Sequence, residues 1–228
     1  MTDKERKLVE HIEATAKAVL SFTAEYDLTM HYEGISLHSR GKMFYADQSH
    51  YRLEGMTNGQ KIITVSRNDI SETYFVDQKL ISRANKIEEQ SPIDILHGLS
   101  DIRDSFSSID KETLTYAGPD VVDDRKVYHF RGRFRILTME GIGKVRMPIE
   151  VDSFTDQESC LLLKRVWTQT GKGTLVNAHY KIMDINLPID DSLFSFDALS
   201  PEVRRVGTMD ISKTLFFSDE KNQGASMN

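Results

Sequence analysis

The chain has 228 residues, 28% of them charged and 39% hydrophobic, with a formal charge of -6 and a pI near 5.7. This is globular composition rather than the charge-rich, hydrophobe-poor composition of disorder, and its acidic balance offers no electrostatic footprint for a nucleic acid. No apolar run approaches the roughly 20 residues of a membrane-spanning helix, and the lone Cys160 excludes an internal disulfide or a cysteine-cluster metal site.

A β-rich chain of this length is expected to form one domain, 1–228, since no repeat, low-complexity tract or Pro/Gly-rich linker interrupts it. Its start, Met1 to Lys7, is too polar for a secretory signal, which leaves a cytoplasmic protein and a mature exported form without its leader both open. Over 2–20, Leu8, Ile12, Ala16 and Val19 or Leu20 form one apolar stripe with Lys and Glu opposite, which predicts an amphipathic helix.

The period then changes to two. Phe22, Ala24, Tyr26, Leu28, Met30 and Tyr32 alternate with Thr23, Glu25, Asp27, Thr29, His31 and Glu33, so a long strand presents one apolar and one polar face. Gly34 begins a turn. Ile35, Leu37, Met43 and Tyr45 predict a second strand, interrupted around 39–41, and Tyr51 and Leu53 a third. Asn58-Gly59 is the residue pair of a tight hairpin, after which 61–65, 72–76 and 79–82 continue an antiparallel meander.

A second helix is predicted over 91–106, with Ser91 as N-cap, Pro92 at the first helical position and Asp94 in the first turn. Ile95, Leu99, Ile102 and Phe106 make its apolar ridge. Gly98 inside that ridge costs about 1 kcal/mol relative to Ala, so the helix is expected to be one of the less rigid elements. Strands follow over 113–117, 126–135, 144–153, 160–169 and 174–184, separated by turns at 118–124, at 141–143, near Asp156 and at 171–173. The polar tail 218–228 is expected to fray. About ten strands and two helices give a mainly β, α+β fold: a curved antiparallel sheet with helices on one side.

The motifs of catalysis and metal binding are missing. His11, His31, His38, His50, His97, His129 and His179 are scattered, with no spacing that places two ligands on one metal. Gly171-Lys172-Gly173-Thr174 lacks the earlier glycine of a phosphate loop, position 167 being Trp167, and reads as a hairpin turn. No nucleophile elbow occurs, and Cys160 falls within a strand pattern rather than at a helix start where its thiolate would be favoured. The pairs Glu88-Glu89, Asp123-Asp124 and Asp190-Asp191 fall in turns or loops, not in the cleft that general acids and bases need. A non-enzymatic protein without a cofactor is therefore expected. What rises above background is apolar: 9 Met, 11 Phe and 8 Tyr, many on one sheet face or under the second helix. They either line a ligand cavity or fill a core.

Several stretches in order resemble one known family. They are the opening helix leading into Ser21-Phe22-Thr23-Ala24-Glu25-Tyr26, Gly41-Lys42-Met43-Phe44-Tyr45 followed by Tyr51-Arg52-Leu53-Glu54, and Ile62-Ile63-Thr64-Val65-Ser66 with Thr73-Tyr74-Phe75-Val76-Asp77. Ser91-Pro92-Ile93-Asp94-Ile95-Leu96 and the closing run from Leu187 to Asp197 complete the set. Together they resemble the LolA/LolB-like superfamily of envelope lipoprotein carriers and outer-membrane lipoprotein-sorting proteins. The chain departs from that pattern at Ser49-His50 and at Asn68-Asp69-Ile70.

The resemblance implies an unclosed β-barrel with an N-terminal helix and a mid-chain helical lid over an apolar cavity. The cavity residues would be Phe22, Met30, Met43, Tyr45, Leu53, Ile95, Leu99, Ile102 and Phe106, and Arg52 would tether the lid; as a plain strand arginine it would instead pair with a carboxylate. It further implies a lipid, an acyl chain or a lipidated protein as partner. The location would be the periplasm or the outer membrane, with at most peripheral membrane contact. The other reading of the same fold is an envelope protein-interaction or sensor domain with a filled core.

Overall fold

In a computed structural model of the chain, the described residues are 1–32, 35–47, 50–67, 70–85, 102–106, 109–134, 149–197 and 202–207. One helix leads, α1 (Asp3–Lys17), followed by β1 (Phe22–Tyr32), β2 (Ile35–Asp47), β3 (His50–Thr57), β4 (Gln60–Arg67), β5 (Ile70–Phe75) and β6 (Leu80–Asn85). The second run is β7 (Thr115–Val122), β8 (Arg125–Arg133), β9 (Ile149–Asp156), β10 (Leu162–Gln169), β11 (Gly173–Ile185) and β12 (Arg204–Val206), with a short 3-10 helix, Asp191–Phe194, before β12.

The strands join in one sheet in the order β12-β6-β5-β4-β3-β2-β1-β11-β10-β9-β8-β7. β12 and β7 are its two edges, so the sheet does not close on itself. Successive strands of the meanders β2 to β6 and β7 to β11 pair antiparallel, whereas β12 lies parallel to β6 over Arg204 to Val206. The mainly β class, the leading helix and the open sheet are those predicted; among the described residues there are twelve strands where about ten were expected. By their internal contacts the residues group into two compact units. One contains Met1–Val19, Leu28–Tyr32 and Asp101–Lys181, the other Leu20–Asp27, Glu33–Ser100 and Ile182–Asn228.

In the first unit, Thr2 caps α1. Its hydroxyl accepts from the Glu5 amide, and the Glu5 carboxylate accepts from the Thr2 amide, a reciprocal capping box. Val9, Ile12 and Ala16 are the buried stripe, one position off the expected Leu8, and the helix stops at Lys17. Leu20 belongs to neither helix nor core and is 72% exposed. Glu5 also accepts from the Tyr116 amide on β7, and Lys111 pairs with Glu13, which ties α1 to the start of β7. Phe106 meets the Phe130 ring edge-on at 4.9 Å, within a core shared with Ile109, Leu114, Val127 and Val151.

Two expectations are corrected in part, for identifiable reasons. The predicted helix 91–106 lies outside the described residues up to 101, and its last five positions, Ile102 to Phe106, are turn and bend. A helix would join the Phe106 amide to the Ile102 carbonyl. Instead that amide donates to Asp104 Oδ1, and the Ile102 carbonyl accepts from Leu162 at 2.7 Å. The turn expected from Gly118-Pro119 does not begin there either. β7 runs through it to Val122 by way of a bulge between Tyr116 and Gly118, and the turn is Asp123-Asp124 alone. Proline is tolerated because β7 is an edge, and Gly118 adopts the φ of +124° that the bulge requires.

In the second unit β2 is continuous where an interruption was expected. Gly41 sits opposite Gly55, and a Cβ on Gly41 would stand 1.9 Å from the Glu54 carbonyl oxygen. The glycine thus marks a close approach of two strands, not a break. Asn58 and Gly59 form the predicted tight turn with φ of 46° and 80°. The C-terminal segment covers one face of this unit: Phe194 and Phe196 cluster with Val65 and Ile81, and Ile189 and Val203 pack against them.

Candidate ligand-binding face

Registers across β2 to β6 define the two faces of the second unit. On the first face lie Phe44, Arg52, Glu54, Val65, Ile63, Glu72, Tyr74, Ile81 and Arg83, where the C-terminal segment packs and where the charges sit. The opposite face carries cross-strand rows: Tyr45 and Tyr51 with Ser66 and Ser71, and Met43 and Leu53 with Thr64, Thr73 and Ser82. Next come Gly41 and Gly55 with Ile62, Phe75 and Leu80, and finally Ser39 and Thr57 with Gln60. Among the described residues of these rows there is no charged side chain. We call this the neutral face.

The neutral face gathers four of the residues singled out in the sequence. Phe22 stacks flat on Tyr45 with ring centroids 4.8 Å apart, and Met43 is paired with Leu53 across β2 and β3. Phe22, Met43 and Tyr45 are buried, and Leu53 is half-buried. The remaining described candidates, Met30, Ile102 and Phe106, are buried in the first unit. Ile95 and Leu99 lie outside the described residues, as does Gly98.

Arg52 sits on the charged face, its side chain 13% exposed. Its guanidinium donates to the Leu193 carbonyl at 2.7 Å, pairs with Glu54 and lies 5.8 Å over the Phe196 ring. It therefore pins the closing segment, and the carboxylate partner expected of a strand arginine is present as well.

The neutral face also contains a polar end that sequence reasoning did not single out. Ser39 Oγ and Thr57 Oγ1 are 2.8 Å apart and the Tyr26 hydroxyl is 3.2 Å from Ser39 Oγ. Burial raises the Tyr26 phenol pKa and the Ser39 contact partly offsets it, so the phenol stays protonated. Gly55 makes room: a Cβ there would be 2.7 Å from the Tyr26 oxygen and 2.3 Å from the Arg40 carbonyl oxygen. Beside Thr57, its cross-strand partner Gln60 holds a buried carbonyl oxygen with no hydrogen-bond partner.

The first unit has a different interior. Arg165 is wholly buried and donates to the Asp104 carbonyl at 2.6 Å, while Ser153 and Thr155 donate to Ser105. With the Leu162 to Ile102 bond, these fasten residues 102–106 to β9 and β10. The Trp167 indole nitrogen is buried there without a hydrogen-bond partner.

Several carboxylate–imidazole pairs form, two of them between residues far apart in sequence. His129 stacks on Phe154 and lies 2.6 Å from Asp152, which also accepts from Arg131; His179 lies 2.7 Å from Asp123, and His50 pairs with Asp47. Among the described residues no group of three or more His, Cys, Asp or Glu is placed to hold a metal, and no helix is long and apolar enough to cross a membrane. Cys160 precedes β10 rather than lying within it, with φ of +58°. It is buried, and burial pushes its thiol pKa up despite a hydrogen bond to Thr15, the opposite of an activated nucleophile.

No protein-family model matches the chain, and no curated protein does. Among solved structures it is similar to an uncharacterised conserved protein from Thermus thermophilus, at 10% identity, covering 90% of this chain and 99% of that one, with a TM-score of 0.53. It is also similar to MucB, at 11% identity and a TM-score of 0.50, covering 86% of this chain and 64% of that one. A further similar structure is the Mycobacterium tuberculosis lipoprotein LppX, at 14% identity and a TM-score of 0.49, covering 83% of this chain and 99% of that one. At such identities these likenesses show the fold alone. What is shared is a fold with a leading helix and an open, mainly antiparallel sheet.

Proposed function

We propose that this protein is a non-enzymatic binding or carrier protein of the bacterial envelope. It holds a lipid, an acyl chain or the lipid of a lipidated protein against the neutral face of its second unit. The observation that carries this reading is the segregation of charge. Every charged side chain described in β2 to β6 lies on the other face, at strand ends or in turns, while Phe22, Tyr45, Met43, Leu53, Ile62 and Phe75 share the neutral one. An apolar ligand gains about 0.8 kcal/mol for each CH₂ taken out of water, so such a face supplies affinity without a cofactor. Met43 adds a flexible, polarisable contact suited to varied chains.

The test is native mass spectrometry with lipid extraction of the protein purified from its own host. The reading expects a co-purifying lipid in stoichiometric amount, and repeated preparations without one would contradict it. Burial favours a second reading: Met43 and Tyr45 are only 3% and 4% exposed, as in the filled core of an envelope interaction or sensor domain. That reading expects no bound lipid and no saturable binding of an acyl probe.

A further inference from the structure

Gln60 is the residue on the neutral face whose chemistry a purely apolar ligand leaves unexplained. Its carbonyl oxygen is buried without a hydrogen-bond partner, and an unsatisfied buried acceptor costs stability that a folded protein does not usually give away. The residue closes the β3–β4 hairpin opposite Thr57, and the Thr57 hydroxyl continues through Ser39 to the Tyr26 hydroxyl. Four adjacent strands thus contribute one polar row, set at the end of a face whose next rows hold Ile62 and Phe75, then Met43 and Leu53. The arrangement is amphiphilic: a hydrogen-bonding end joined to an apolar floor.

We propose that the row Tyr26, Ser39, Thr57 and Gln60 receives the uncharged, hydroxyl-bearing head of an amphiphilic ligand, such as a glycerol or sugar group, whose chain lies along the adjoining apolar rows. The proposal rests on the lipid-binding reading above and gives that ligand its chemical class. Two features select a neutral head. Among the described residues the face carries no cation to neutralise a phosphate or carboxylate, and bringing an anion onto it would strand a desolvated charge. The row itself offers hydroxyls and a primary amide. A ligand hydroxyl both donates and accepts, so it satisfies the Gln60 amide in either orientation while extending the hydroxyl chain from Thr57. Gly55 has a part in this, because a side chain there would displace the Tyr26 hydroxyl from Ser39.

The test is a competition series against a fluorescent acyl probe, using ligands of one chain length: a monoacylglycerol, the fatty-acid methyl ester, and a lysophosphatidate. The parent protein should prefer the monoacylglycerol to both others by about tenfold or more, the usual weight of satisfying an otherwise unpaired buried polar group. Gln60→Met, which keeps length and removes the amide, should bring monoacylglycerol and methyl ester to within about twofold of each other; Thr57→Val should act in the same direction. Circular dichroism and the melting temperature of each variant confirm that it is folded. If the parent binds the probe but does not distinguish monoacylglycerol from methyl ester, prefers the lysophosphatidate, or keeps its preference in both variants, the row holds only water and the proposal is overturned. If no acyl ligand binds at all, the lipid-binding reading falls, and this proposal with it.

Discussion

Arg52 joins the strand that bears it to a segment about 140 positions later, since its guanidinium donates to the Leu193 carbonyl. A hydrogen bond from a charged donor contributes about 1.5–3 kcal/mol. Arg52→Met keeps the apolar stem over Phe196 but removes the donor and leaves Glu54 without its partner. We expect stability in urea to fall within that range and amide exchange to rise at 191–196, with lipid binding little altered because the tether is on the charged face. Gly55 makes the converse prediction for the neutral face. Gly55→Ala forces a Cβ to 2.3 Å from a backbone oxygen and 2.7 Å from the Tyr26 hydroxyl, and overpacking of this kind costs about 1–3 kcal/mol. Adding Tyr26→Phe should recover little of the loss in a thermal melt, because the clash with the Arg40 carbonyl remains. At this scale Phe22, Met43, Tyr45 and Leu53 were legible, since period-two alternation places them on one face. Ser39 and Gln60 were not. A polar residue at an apolar position reads as an interruption, and only the cross-strand register shows that it continues a row.

Among the elements, α1 has the most local explanation. Its capping box holds the Glu5 carboxyl below the ordinary carboxylate range, chiefly through hydrogen bonds from Thr2. A group whose pKa is lowered by folding stabilises above its unfolded pKa, and that contribution is lost as pH falls through the lower folded value. The stability difference between the parent and Glu5→Gln should therefore be present at neutral pH and vanish on acidification below the ordinary carboxylate range. A difference that persisted in acid would assign the effect to packing. The cap was not singled out in the sequence, although Thr2 and Glu5 have the right spacing; the apolar stripe alone marked the helix. The start of β1 at Phe22 and its alternation were legible, because eleven residues of unbroken alternation leave little freedom of register. β12 was missed, because Arg204-Arg205-Val206 is too short to show a period and its parallel pairing with β6 is a long-range event. The end of the predicted mid-chain helix failed for a local reason, the capture of the Phe106 amide by Asp104.

For the whole molecule, the open sheet and leading helix followed from pattern and order of segments. The separation of a charged face from a neutral one emerged only with the register of β2 to β6. If a lipid binds on that neutral face, a single charge placed there tests it most directly. Leu53 suits the purpose: it is half-buried, lies between Met43 and Thr64 on the neutral face, and is distinct from the polar row. The measurement is the titration of a fluorescent fatty-acyl probe into the parent and into Leu53→Lys, with the melting temperature of both. We predict saturable one-to-one binding by the parent and at least about a tenfold loss of affinity in the variant, since a lysine there meets the chain with an unpaired charge. Its melting temperature should fall only modestly, because a half-buried lysine can carry its ammonium to water. No saturable binding by the parent, or equal affinity in a folded Leu53→Lys variant, would contradict the account.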